Sequence, residues 1–359
     1  MKYSAVLVED CNPSRTYRIH PRCVILAFTV GIVFYCVYTV SRAPVSGITS
    51  GHLESGNAPC DCVPGSYHSQ PEQVIDRQRL FYNRVPKCGS TTLYTLIRKL
   101  STMHNYNHFN SKVYDRKNVD EEEQRRLVKL VKYTPAPCSF DRHVFFINFT
   151  KFGETPPIYI NIIREPVERI ISSYFYRRMV ARQNKTKIRP SAYWLNKKFE
   201  HCVLTPDPEC TFLEGRNYSV LQVPYFCGQE YQCQLLNDPG ALNKAKRNIE
   251  QYYAVVGTLE QMNVTLQVLE TVLPQFFGGA FKIYHSLGVH RNQNLNKEHV
   301  KEEVKALLRA NLTGEYELYH FVQQRLYRQF QLLVQDRNNN EEDINQETST
   351  DGDKFIEYA

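Results

Sequence analysis

The stretch Phe81 to Leu100, FYNRVPKCGSTTLYTLIRKL, constrains the fold most. It reads as a buried strand from Phe81 to Val85, a tight loop from Pro86 to Thr91 and a helix opening at that loop. Leu93, Leu96, Ile97, Leu100 and Met103 recur at the spacing of one buried helical face. A helix N-terminus offers unpaired N–H groups and a positive dipole end, which together suit a phosphate. Gly89 lets the backbone come close, Lys87 adds a point charge, and Ser90, Thr91 and Thr92 add hydroxyl donors. The stretch is a candidate site for an anionic nucleotide; the plain alternative is an ordinary strand–turn–helix.

A second junction repeats the pattern. Ile158 to Arg164, IYINIIR, is almost wholly apolar, as expected of a strand buried on both faces of a parallel sheet. It runs into REPVER, where Pro166 suits a first helical turn, and then into a helix with Val167, Ile170, Ile171, Tyr174 and Phe175 on its apolar face. Ser172 lies two turns in. Ligands of open α/β sheets sit beyond the carboxyl ends of the strands, so Lys87 and Arg164 can hold two ends of one anion. The alternative for Arg164 is a salt bridge to Glu165 or Glu168. Between the junctions, Cys138 to Phe149 reads as a strand rich in β-branched and aromatic residues, with His143 near its beginning. The fold class is therefore α/β, a parallel sheet flanked by helices.

The 359 residues, 42% hydrophobic and 23% charged, with a net charge of +7, are those of a globular chain with a sizeable core. Residues 23–40 form an uncharged run of 18 residues, about the minimum for a membrane-spanning helix. Arg15, Arg18 and Arg22 precede it and only Arg42 follows closely, which puts residues 1–22 in the cytosol and the rest across the membrane. A cleaved signal peptide is the competing reading, but the run is long, 22 residues precede it and no clear small-x-small cleavage site follows. Residues 41–78 read as a flexible stem, 79–335 as the folded lumenal domain and 336–359 as an acidic, unstructured tail.

Eight of the eleven cysteines follow the apolar run. A lumenal setting permits disulfides, and Cys202 with Cys210 and Cys227 with Cys233 are natural short-loop pairs. Zinc is the alternative, although no C-x-x-C pair is present and no other metal-ligand spacing appears. Sequons stand at Asn148, Asn184, Asn217, Asn263 and Asn311.

Later elements follow the same logic. Asp120 to Glu123 starts a helix through Leu127, Leu130 and Val131. Ala241 to Tyr252 and Asn263 to Leu273 read as helices, Ala254 to Leu259 as a short buried strand, Lys282 to Lys297 as a polar loop, and Val300 to Leu308 and Glu315 to Leu333 as helices. Arg177 to Lys198 holds eight basic residues and no acidic one, which suggests a polyanionic partner. In a lumen that partner is a sulfated or carboxylated polysaccharide rather than nucleic acid.

Five segments in order, YNRVPKCGSTT (82–92), RHVFFINFTKFG (142–153), YINIIREPVERIISSYF (159–175), VPYFCGQEYQC (223–233) and VVGTLEQM (255–262), give the chain a specific likeness. It resembles the Golgi uronyl 2-O-sulfotransferases of glycosaminoglycan synthesis. These comprise heparan sulfate 2-O-sulfotransferases, chondroitin/dermatan uronyl 2-sulfotransferases and insect Pipe-type relatives. The resemblance implies a sulfotransferase-type fold, the donor 3′-phosphoadenosine-5′-phosphosulfate (PAPS), a type II Golgi membrane protein with a lumenal domain, and a glycosaminoglycan acceptor. It implies that Lys87, Cys88, Gly89, Ser90, Thr91 and Thr92 form the 5′-phosphosulfate loop, and Arg164 with Ser172 the 3′-phosphate site. It makes His143 the general base and Lys87 the stabiliser of leaving-group charge, with no metal. Arg84, through its motif, and Arg182 and Arg189, mainly on their charge, are candidates for acceptor carboxylates and sulfates. Cys202–Cys210 and Cys227–Cys233 match the family's disulfides, and the heparan members imply a homotrimer. One departure stands out: where the family can carry a second histidine, two residues before His143, this chain has Asp141. A polyanion-binding paralogue without catalysis is the alternative function. A P-loop kinase lacks its G-x-x-x-x-G-K-[ST] sequence here.

Overall fold

The computed structural model describes residues 74–352 apart from 114–115, 184–189, 206, 211–220 and 287–298. The apolar run 23–40, most of the stem, Cys60, Cys62, Asn184, Asn217, Arg189 and residues 353–359 lie outside the described residues. Among the described residues, no helix is long and apolar enough to cross a membrane.

Five parallel strands form one sheet: β1 (Asp76–Asn83), β2 (Asn107–Asn110), β3 (Cys138–Arg142), β4 (Pro157–Ile163) and β5 (Tyr253–Thr258), in the order β2-β3-β1-β4-β5. β1 is central and pairs with both neighbours, Phe81 lying opposite Phe140 on one side and Tyr159 on the other. The chain leaves β1 toward β2 and leaves β4 toward β5. The sheet's topological switch point therefore falls where β1 adjoins β4, and ligand crevices open at such points.

Helices cover the sheet. α1 (Ser90–Met103) buries Leu93, Leu96, Ile97 and Leu100, the face read from its spacing, although Met103 is exposed. Burying each such side chain contributes roughly 1.5–3 kcal/mol. α2 (Glu121–Tyr133) starts at Asp120, whose carboxylate accepts the N–H of Glu123. α3 (Pro166–Gln183) packs with α4 (Ala192–Asn196), α5 (Phe199–Leu204) and, further on, α11 (Glu302–Asn311) around a second core of Val167, Ile171, Tyr174, Phe199, Val304 and Leu308. The remaining elements are α6 (Pro224–Cys227), α7 (Pro239–Tyr252), α8 (Met262–Val272), α9 (Pro274–Phe277), α10 (Ala280–Ser286) and α12 (Thr313–Gly352). Leu318, Val322 and Leu326 of α12 enter the main core against α8 and β5.

The structure departs from the sequence reading in four places. β3 ends at Arg142 instead of continuing to Phe149. Beyond it, side chains rather than a neighbouring strand satisfy the carbonyls. Asn83 Nδ2 reaches Val144 O, Gln229 Nε2 reaches Phe145 O, and the Tyr159 hydroxyl donates to Ile147 O. β2 was not expected; it is a four-residue edge strand with no apolar run to mark it. Residues 280–286, partly read as loop, are helical. α12 continues past Leu333 to Gly352, so the acidic segment read as unstructured is helical over 336–352, although Asn, Asp, Ser and Thr, which are weak helix formers, predominate there.

Both cysteine pairs stand at bonding distance, Cys202–Cys210 with Cα atoms 5.8 Å apart and Cys227–Cys233 with 5.4 Å. Cys88 and Cys138 are buried free thiols. Of the sequons, Asn263 and Asn311 are exposed. Asn148 is half-buried, its side-chain oxygen accepting from the N–H and hydroxyl of Thr150.

Candidate active site

The carboxyl ends of β3, β1 and β4 bring His143, the Lys87 loop and Arg164 side by side. Gly89 caps α1 with φ +74°, a left-handed conformation, and no side chain caps the first turn. A Cβ on Gly89 would stand 2.7 Å from Leu259 Cδ1, so both backbone conformation and space demand glycine. The N–H groups of the α1 first turn are thus presented at the crevice without a protein acceptor from the cap position. Lys87 itself holds φ +67°, a strained setting for a side-chain-bearing residue.

Side chains from the second junction brace this loop. Arg169 of α3, fully buried, donates from Nε to Pro86 O at 3.1 Å. Arg164 Nη1 reaches Lys87 O at 3.4 Å, and its Nη2 lies 3.8 Å from Glu168. Gln222 ties the junctions together: it accepts from the Arg164 N–H, donates to Arg164 O, and takes a 3.5 Å contact from the Cys88 thiol. Gln222 is held in turn by Glu315 of α12, whose carboxylate accepts the N–H groups of Gln222 and Val223. Burial raises the Glu315 carboxyl and pushes the Cys88 thiol up to about 12. Cys88 can therefore offer a ligand only its backbone; its thiol is packing.

Lys87 Nζ sits 3.6 Å above the ring of Tyr176. Burial, and then the like charge of Arg164, lower its pKa to about 8. Two cations thus share the crevice against an uncapped helix terminus, an arrangement that an anion would relieve.

His143 follows β3 directly. Its Nδ1 lies 2.9 Å from the carbonyl of Arg84 and so carries the hydrogen donated there, which leaves the lone pair on Nε2. Burial, then the Arg84 charge, lower its pKa to about 4, so the imidazole is neutral at ordinary pH. Arg84 follows β1, and its guanidinium meets Asp141 at 2.6 Å.

Three cations of the basic run meet carboxylates from outside it. The loop closed by Cys202–Cys210 supplies Asp207 and Glu209, which pair with Arg177, Arg178 and Lys197. Arg178 is buried, stacked on Tyr174 and close to Trp194. Arg182 Nη2 donates to Leu195 O at 2.7 Å. Ser172 is half-buried on α3, between Arg169 and Tyr176 in sequence. The sequence reading missed Tyr176, Arg169, Gln222 and Glu315. The first two lie on the helix already singled out, whereas nothing local to Gln222 or Glu315 marks them.

A parallel α/β sheet with an uncapped helix terminus and two cations at its switch point, beside a neutral histidine, is a candidate site for chemistry on an anionic ligand. Residues 73–322 match the sulfotransferase family, and the chain belongs to it. It is 36% identical over 284 residues to the uronyl 2-sulfotransferase homolog pip of Drosophila melanogaster, covering 74% of this chain and 55% of that protein. It is 36% identical over 321 residues to the uronyl 2-sulfotransferase of Mus musculus, covering 86% and 75%. Against the heparan sulfate 2-O-sulfotransferase 1 of Xenopus laevis it is 32% identical over 250 residues, covering 67% and 68%. The chain spans little more than half the length of the fly relative.

Proposed function

We propose that the protein transfers the sulfuryl group of PAPS to the 2-hydroxyl of uronic acid residues in glycosaminoglycan chains. We propose further that it works in the Golgi lumen, anchored through residues 23–40. The observation that carries the reading is the meeting of Lys87, Arg164 and the uncapped α1 terminus at adjacent strand ends. The names of the relatives supply the acceptor class.

The residues present fit this donor. The backbone of Gly89 to Thr92, the hydroxyls of Ser90, Thr91 and Thr92, and Lys87 would hold its phosphosulfate, with Arg164 and Ser172 at its other phosphate. The donor, when bound, supplies an activated sulfuryl group. Lys87 stabilises charge that develops on the leaving side. His143 accepts the hydroxyl proton at Nε2, and its neutral state leaves it competent as a base. Positioning and charge stabilisation supply most of the catalysis in such in-line displacements.

The test is a transfer assay on the full-length chain with PAPS and three acceptors: desulfated heparin-type, dermatan and chondroitin polymers. Labelled sulfate on at least one polymer is expected. Transfer to none of them, by protein that binds the donor product 3′-phosphoadenosine 5′-phosphate, would overturn the reading.

Lys87 also sets a pH dependence. The anion meets a protonated amine only below the Lys87 pKa of about 8. Affinity for the donor product is therefore expected to fall as pH rises through that value, measured by calorimetry from neutral to alkaline pH. Lys87→Arg, charged throughout, is expected to flatten that slope.

A further inference from the structure

Asp141, the departure from the family pattern, sits at the centre of a buried polar cluster that no sequence motif announced. Its side chain is wholly buried. Oδ1 meets Arg84 Nη1 at 2.6 Å and Asn110 Nδ2 at 2.8 Å. Oδ2 meets Asn110 Nδ2 at 2.9 Å and lies 3.0 Å from His108 Nε2. His108 Nδ1 lies 2.8 Å from the Ser139 hydroxyl. Asn110 and His108 come from β2, the edge strand.

The cluster bears on the reaction through one residue. Arg84 is fixed three ways: its N–H donates to Arg142 O at 2.8 Å, its guanidinium pairs with Asp141, and its carbonyl receives Nδ1–H of His143. A guanidinium that reads an acceptor carboxylate must present its fork at the surface. The Arg84 side chain is only 7% exposed and is turned to a carboxylate of the protein itself.

We propose that Asp141 is a positioning residue: it fixes Arg84, whose carbonyl sets the tautomer and orientation of the His143 base. This rests on the sulfotransfer reading of the site. Arg84 then serves the base rather than the acceptor, which differs from the role its motif implied. Asp141 also offsets the Arg84 charge, which would otherwise oppose proton uptake by the imidazole.

The test is Asp141→Asn in the full-length chain, which keeps shape and removes the charge. A fall in kcat of about 10-fold or more is expected, with acceptor KM and donor-product affinity close to wild type. The imidazole ¹⁵N signals of His143, read by NMR, are expected to lose their single Nδ1–H tautomer. Should the unpaired Arg84 prevent folding, the neutral pair Asp141→Asn with Arg84→Gln is measured instead, with the same kcat fall and unchanged acceptor KM expected. A raised acceptor KM with unchanged kcat in either variant would make Arg84 an acceptor ligand and overturn the proposal. An unaltered His143 tautomer in Asp141→Asn would overturn it equally. The NMR readout needs no turnover, so it stands even if the wild-type protein transfers no sulfate.

Discussion

Replacing His143 with glutamine is expected to lower kcat for sulfuryl transfer by about 10²–10⁴-fold, the usual contribution of a positioned general base. Glutamine keeps a neutral polar side chain of similar length in place of the imidazole whose Nδ1 lies 2.9 Å from the Arg84 carbonyl. It offers no imidazole lone pair. Donor-product affinity is expected to stay unchanged, because the Lys87 loop, proposed to hold the phosphosulfate, lies on the neighbouring strand end. The wild-type pH profile gives a second reading of the same residue. The His143 pKa is lowered to about 4, so the acid limb of kcat/KM in the free enzyme is expected near that value rather than at the ordinary histidine position. The same shift bears on stability: the unfolded chain takes up a proton at this histidine at higher pH than the folded protein does. Its contribution is therefore lost as pH falls from the ordinary histidine pKa toward about 4, and His143→Gln is expected to remove it. Stopped-assay kinetics and equilibrium unfolding across acid pH measure both effects.

Lys87→Ala is expected to cost about 10²–10³-fold in kcat, the scale seen when one preorganised donor to developing charge is removed. Donor affinity is expected to fall as well, since the amine is one of two cations at the crevice. Fold stability is expected to change little. The amine's contact is the Tyr176 ring, which is substantially exposed, and alanine relieves no packing. A variant that lost donor affinity with kcat intact would place Lys87 in binding alone. The two measurements, single-turnover rate and calorimetric affinity, separate those cases.

Both junctions were readable from sequence because their signals are local. The Lys87 loop is framed by an apolar strand and a helix of clear period, and the Arg164 junction by a wholly apolar strand and Pro166. What was not readable depends on partners distant in sequence. Asp141 looked like a lost histidine; its meaning comes from Arg84 of β1 and His108 and Asn110 of β2. Within the basic run, the pairing of Arg177, Arg178 and Lys197 was not readable either, because Asp207 and Glu209 arrive through the loop closed by Cys202–Cys210. The expectation that β3 runs to Phe149 followed composition, which cannot tell a ladder-paired strand from extended chain held by Asn83, Gln229 and Tyr159 side chains. Gln222 and Glu315 join the loop to α12 across 93 residues, a distance at which no periodicity carries information.

The most direct test of the account is where the sulfate goes. Wild-type and His143→Gln proteins are given PAPS and the preferred acceptor polymer, and the product disaccharides are mapped by mass spectrometry. Sulfate is expected on the uronic acid 2-hydroxyl with the wild-type protein and nearly none with the variant. Sulfate on the hexosamine, or equal transfer by both proteins, would contradict it.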